Sequence, residues 1–206
     1  MSRRIILSTG NVHKVNEIKG ILKDMPFEVV SKNDLGYKDF DVVEDGSTLQ
    51  ENALKKAEEL HKITKGIVIA DDTGLYVDAL DGEPGVYSAR YAGEDATYAA
   101  NNKLLLNKLK DIPKEKRTAH FKTVIAVVLE DGSKLMAEGI CKGSIAFKER
   151  GSRGFGYDPL FVVEETDKTF SEMTEEEKNK ISHRANALIN LKDKLEALIE
   201  DFGDKR

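Results

Sequence analysis

An unbroken apolar run, Ile67-Val68-Ile69-Ala70, leads straight into two adjacent carboxylates, Asp71 and Asp72, and then into Thr73-Gly74. A short β-branched run followed by glycine predicts a buried strand that ends in a turn. Side chains alternate along a strand, so the two acids are expected on opposite faces. One can then face an active cleft while the other ties down its own loop. Ligands of α/β folds gather at the carboxyl ends of strands. Taken alone, Ala70 to Gly74 is an ordinary solvated turn; the rest of the chain gives it weight.

Arg4 to Ser8 reads as a strand, Thr9-Gly10-Asn11 as a turn, and a helix follows from about His13 to Lys23 with Val15, Ile18 and Leu22 on one face. Such a strand, turn and helix start can present backbone N–H groups to an anion. Taken alone, the segment reads as an ordinary βα connection with Lys14 in solvent. Phe27 to Ser31 is a second strand, and Lys32 to Asp45 is polar loop. Ser47 or Thr48 caps a helix to about Ile63, with Glu51 placed for a capping box. Leu49, Ala53, Ala57 and Leu60 form its buried stripe, and Asn52 and Lys56 share another face, which reads as solvated.

Asp81-Gly82-Glu83-Pro84-Gly85 is a turn cluster, and Arg90 beyond it reads as a buried structural arginine. Thr97 to Lys110 is helical. Thr118 to Leu129 and Lys134 to Phe147 form two long strands around an Asp131-Gly132 hairpin turn. Gly151 to Tyr157 is a glycine-rich loop whose backbone can come close to a ligand. Its Phe155 is either a hydrophobic plug or a ring that caps a planar base. Leu160 to Val163 is a last strand, and Thr174 starts a polar helical turn carrying Lys178. Ser182-His183-Arg184 opens the final helix, with Leu188, Leu191, Leu195 and Leu198 at helical spacing. Gly203 to Arg206 are expected to fray.

The chain has 206 residues and a formal charge of −5. The charge argues against nucleic acid as the main partner. A single cysteine, Cys141, permits no intrachain disulfide and suits a reducing, cytoplasmic setting. The apolar run near the N-terminus is too short for a signal peptide, and no stretch approaches a membrane span.

The chemistry-bearing residues are the acids Glu44, Asp71 and Asp72, the cations and donors Lys14, Lys56, Lys178, His183 and Arg184, and Phe155. Acids able to hold a hard cation, surrounded by lysines, suit a polyphosphate carried as its Mg2+ complex. The patterns G-x-x-x-x-G-K-[ST], G-x-G-x-x-G and G-x-S-x-G are absent, as is a Cys/His set for zinc. Water activated by a carboxylate and a metal is the economical hydrolytic chemistry.

Ser8-Thr9-Gly10-Asn11-Val12-His13-Lys14, Glu51-Asn52-Ala53, Ala70 to Leu75, Pro84 to Tyr91, Gly154 to Pro159 and Ser182-His183-Arg184 occur in one order that resembles the Ham1/RdgB family of inosine triphosphate pyrophosphatases. The resemblance runs from residue 5 to roughly residue 195. It implies one α/β domain over 1–206, with a long central mixed sheet flanked by helices and two lobes around an active-site cleft. It implies hydrolysis of non-standard purine nucleoside triphosphates (ITP, dITP, XTP) to the monophosphate and pyrophosphate, a need for Mg2+, and a homodimer.

On this resemblance Asp72 falls on the catalytic acid and metal ligand, and Glu44 is the second metal ligand, with Asp45 as the alternative. Thr9, Gly10, Asn11, Val12, His13 and Lys14 fall on the triphosphate loop, with Lys56 as a further phosphate contact. Thr73, Lys178, His183 and Arg184 fall on substrate contacts, and Phe155, Gly156, Tyr157 and Asp158 on the base pocket. Asp71 supports from behind. A 6-oxo purine accepts where adenine donates, so donors such as Arg184 would favour hypoxanthine and xanthine. Two rivals remain: a pyrophosphatase for modified pyrimidines, and a non-catalytic nucleotide-binding module.

Overall fold

The computed structural model describes residues 3–164 and 166–203. The side chains of Leu195 and Leu198, and the terminus beyond Gly203, lie outside the described residues. The fold is mixed α/β, with a seven-stranded sheet and five α-helices among the described residues. The strands are β1 (Arg3–Leu7), β2 (Phe27–Ser31), β3 (Ile67–Val77), β4 (Pro84–Gly85), β5 (Thr118–Val128), β6 (Lys134–Ile145) and β7 (Phe161–Val163). The helices are α1 (Val12–Ile21), α2 (Leu49–Thr64), α3 (Tyr98–Lys108), α4 (Glu175–Ile181) and α5 (His183–Gly203). The sheet order is β2-β1-β3-β5-β6-β7, and β4 pairs with β3. β1 is parallel to both β2 and β3, with Ile5 opposite Ile67 and Leu7 opposite Ile69, whereas β3–β4 and β6–β7 are antiparallel.

The chain divides into two compact units. Residues 1–72, 123–139 and 184–206 form the first. Its core joins Ile5 and Leu7 of β1, Ile67 and Ile69 of β3, Ile125 and Val127 of β5, Val15 and Ile18 of α1, and Leu188 and Leu191 of α5. Ile6, Val68 and Ala70, on the alternate face of the strands, are also buried. Parallel strands covered on both faces read as unbroken apolar runs for this reason. Residues 73–122 and 140–183 form the second unit, whose core gathers Leu75, Val77, Leu105, Phe121, Tyr157, Phe161 and Phe170.

Strand β3 departs from expectation. It does not end at Ala70 but continues through both aspartates and Gly74 to Val77. Aspartate is uncommon in strands, and here Lys14, Arg184, Lys56 and Asn52 hold the two carboxylates. At Gly74 an added Cβ would lie 2.6 Å from the Gly85 carbonyl oxygen. Hydrogen at that position is what lets β4 pair alongside.

Thr48 caps α2 as expected, accepting from Glu51 N. The reciprocal half of the capping box is displaced by one residue, because the Glu51 carboxylate takes Ser47 N at 2.7 Å and Ser47 Oγ at 2.8 Å. Arg90 is not the buried arginine. It is half-buried, with its guanidinium 5.3 Å from the centre of the Tyr87 ring. Arg117 is 1% exposed instead and donates to the carbonyls of Leu109, Ile112, Ile145 and Ala146.

Candidate functional site

In the first unit, the alternation of β3 gives each aspartate its own partners. Asp71 Oδ2 lies 3.0 Å from Lys14 Nζ of α1 and accepts from Arg184 Nη2 of α5 at 3.0 Å and Nε at 3.3 Å. Burial alone would raise this carboxyl, but Lys14, Arg184 and Lys56 overcome it and hold Asp71 far below the usual carboxylate range. Arg184 Nη1 also donates to Glu17 Oε2 of α1. Burial opposes the guanidinium charge, and the two carboxylates more than restore it.

Asp72 faces α2. Its Oδ2 accepts from Asn52 Nδ2 at 3.2 Å and its Oδ1 from Lys56 Nζ at 3.3 Å. The same ammonium donates to Glu44 Oε1 at 3.1 Å. Burial pushes Asp72 above the usual carboxylate range; the neighbouring Glu44 charge adds to this, and Lys56, Lys14 and Asn52 work against it. Burial weakens the Lys56 charge, but Asp72, Glu44 and Asp71 overturn that and raise it. The two adjacent aspartates are thus driven apart, one locked as an anion and the other poised to take a proton.

Asn52 and Lys56 do not form a solvated face: Asn52 is fully buried and both reach Asp72. The spacing of Asn52 from Lys56 is the signal in the sequence that places Asn52 beside Asp72. Its Oδ1 accepts from Gly46 N at 2.8 Å, so one amide ties the loop carrying Glu44 to the carboxylate of Asp72. Asp45 turns to Lys55 on the exposed side, at 2.5 Å. Glu44, not Asp45, therefore shares a cation with Asp72. Among the described residues no group of three or more His, Cys, Asp or Glu converges. Two carboxylates meeting on one ammonium are the oxygen donors a hard divalent cation takes when phosphates supply its other ligands.

The turn after β1 is built largely from its own side chains. Thr9 Oγ1 accepts from Asn11 N at 3.1 Å, and Asn11 Oδ1 caps α1 by accepting from His13 N at 3.0 Å and Lys14 N at 3.4 Å. Those three amides are engaged within the turn, as expected where asparagine is a strong N-cap. Gly10, Val12 and His13 are exposed.

The second unit holds the other predicted residues. Asp158 is 3% exposed, and its Oδ2 accepts from Phe155 N at 2.9 Å and Lys178 Nζ at 2.7 Å. A Cβ on Gly154 would lie 2.1 Å from that oxygen, so the loop closes only with glycine there. Tyr157 is buried and donates to the Ser88 carbonyl at 2.9 Å, and burial pushes its phenol up. Tyr157 and Asp158 thus build the loop. Phe155 is half-buried, with its ring centre 5.1 Å from Lys178 Nζ and 6.1 Å from the Tyr98 ring. It is not a wholly buried plug. Gly156 and Thr73 are half-buried.

His183 is 3% exposed and stacks on Phe121 with centroids 4.5 Å apart. Arg184 is 1% exposed, with its donors turned to Asp71 and Glu17. Both side chains are buried, and the Arg184 guanidinium serves the carboxylates of Asp71 and Glu17.

Two adjacent buried carboxylates whose surroundings shift them in opposite directions are the arrangement used in acid–base catalysis. The Ham1 family model matches residues 5–194, and the chain belongs to that family. A Thermoanaerobacter pseudethanolicus protein named dITP/XTP pyrophosphatase is 54% identical, covering 96% of this chain and 99% of that one. A Bacillus subtilis protein of the same name is 47% identical over 95% and 98%. Among solved structures, the Staphylococcus aureus Ham1 protein matches with a TM-score of 0.83 at 44% identity, covering 95% of this chain and 99% of that one.

Proposed function

We propose that this chain hydrolyses non-standard purine nucleoside triphosphates of the dITP, ITP and XTP kind, cleaving between the α and β phosphates to give the monophosphate and pyrophosphate. The observation that carries the reading is Asp72: buried, raised above the usual carboxylate range, and fixed by Asn52 and Lys56. The names of relatives about half identical over nearly their whole length supply the substrate class.

Glu44 and Asp72 would hold a divalent cation, Mg2+ by ligand chemistry, which when bound neutralises polyphosphate charge and makes water more acidic. Asp72 accepts a proton from the attacking water as the α–β anhydride bond breaks and pyrophosphate leaves. Lys56 balances the two carboxylates, and Lys14 is the cation beside Asp71 that can turn to phosphate. Arg184 keeps Asp71 compensated when Lys14 does so. Phe155 offers a half-buried face to a purine, and Lys178 and Asp158 hold its loop. The enzyme works as a cytoplasmic homodimer.

The test is a pyrophosphate-release assay across dITP, ITP, XTP, dUTP, GTP and ATP. Turnover confined to the first three supports the reading. Preference for dUTP points to the pyrimidine class, and no pyrophosphate from any of them refutes catalysis.

A further inference from the structure

Lys32 follows β2 directly and is 8% exposed. Its ammonium donates to the Phe40 carbonyl oxygen and lies 5.8 Å from the centre of the Phe40 ring. Among the described residues no carboxylate pairs with it. Asp34, two residues on, is engaged by Ser31 N at 2.9 Å and by Lys19 at 3.6 Å. A lysine buried without a counter-charge is rare, because the charge loses hydration and gains no anion in return.

Its position gives that charge a purpose. Lys32 N donates to the Leu7 carbonyl at 2.9 Å, so the residue sits beside the carboxyl end of β1. A Cβ on Gly10 would lie 3.7 Å from Lys32 Cε, 3.5 Å from Asn33 Nδ2 and 3.6 Å from Asn33 Oδ1. The exposed Gly10 turn is therefore flanked by the Lys32 stem and the Asn33 amide. Three amides of that turn region are engaged by Thr9 and Asn11. Side-chain cations nearby therefore add to what the remaining amides can offer an anion. Lys14 is paired with Asp71, and Lys56 is shared between Glu44 and Asp72. The carboxylates Glu17, Glu44, Asp71 and Asp72 share the cations Lys14, Lys56 and Arg184.

We propose that Lys32 is a phosphate-binding residue, supplying the uncompensated positive charge beside Gly10 that a triphosphate or released pyrophosphate meets. It acts on phosphate oxygens and not on the base. The inference rests on the triphosphate reading above, and its test separates the two.

Pyrophosphate and dIMP binding are measured by calorimetry, and KM for dITP by pyrophosphate release, in the wild type, Lys32→Met and Lys32→Gln. Methionine keeps the apolar stem; glutamine keeps an uncharged donor for the Phe40 carbonyl. Both variants are expected to weaken pyrophosphate binding and raise KM about tenfold, to leave dIMP affinity unchanged, and to flatten the salt dependence of pyrophosphate binding. Wild-type pyrophosphate affinity in Lys32→Gln overturns the proposal, since the Phe40 bond would then be the whole role. Equal weakening of dIMP and pyrophosphate overturns it too. If Lys32→Met fails to fold, Lys32→Gln alone decides. A wild type that binds pyrophosphate but leaves dITP intact refutes the function and not this site.

Discussion

Arg184→Met tests the buried ion network most severely. The guanidinium is 1% exposed and serves Asp71, itself buried, and Glu17. Methionine fills similar volume but leaves Asp71 with Lys14 as its close ionic partner. Removing one member of a buried ionic pair costs about 3–5 kcal/mol. At roughly 2–4 °C per kcal/mol for a chain of this size, the melting temperature should fall by roughly 6–20 °C. Asp71 is held below its usual range, so its contribution to stability is present above the unfolded-state value. It is lost as pH falls through the lower folded-state value. The deficit of Arg184→Met should therefore be largest at neutral pH and shrink as pH falls below about 4. Thermal scans of Arg184→Met, Asp71→Asn and the double variant give the coupling. The double should be less destabilised than the sum of the singles by more than 1 kcal/mol on the order expected for contacting residues. Additive effects would refute the reasoning, as would specificity for ITP over ATP that collapses in Arg184→Met while its melting temperature stays put.

Asn52→Leu strands Gly46 N and one side of Asp72, so stability should drop by about 1–3 kcal/mol and turnover should fall while KM for dITP holds; melting curves and steady-state kinetics check this. The raised Asp72 carboxyl predicts an acid limb in kcat/KM, activity rising with pH as the proton leaves, and Lys56→Met should move that limb to higher pH; an unmoved limb removes Lys56 from the coupling. Phe155→Ala should weaken ITP and GTP by similar factors, because stacking contributes ~1–3 kcal/mol to any base; a change in their ratio would give Phe155 a discriminating role. Lys14→Ala should raise KM for every triphosphate without reordering them, as a panel of specificity constants would show.

Much of the fold was legible because it follows local rules. Phe27–Ser31 is an isolated β-rich run, Thr97 and Thr174 are strong caps, and Leu49, Ala53, Ala57 and Leu60 keep helical spacing. The continuation of β3 through Asp71 and Asp72 was not legible, since the groups that neutralise them come from positions 14, 52, 56 and 184. The same holds for the buried Arg117, whose partners are carbonyl oxygens that carry no sequence signal. Within the site, the acids and lysines were visible as residue types. Which carboxylate is locked and which is poised depends on burial, and only the packed structure decides it. Arg184 shows the converse: a donor beside a histidine at a helix start suggests a ligand contact, and Glu17, 167 residues away in sequence, takes up one of its donors.

The most direct measurement is turnover of dITP by a folded Asp72→Asn variant. Asparagine keeps the shape and removes the proton acceptor. Because the charged form of Asp72 is disfavoured where it sits, the melting temperature should hold or rise slightly. The account predicts a loss of at least ~10²-fold in kcat with the fold intact. Turnover near the wild-type value in that variant would contradict it.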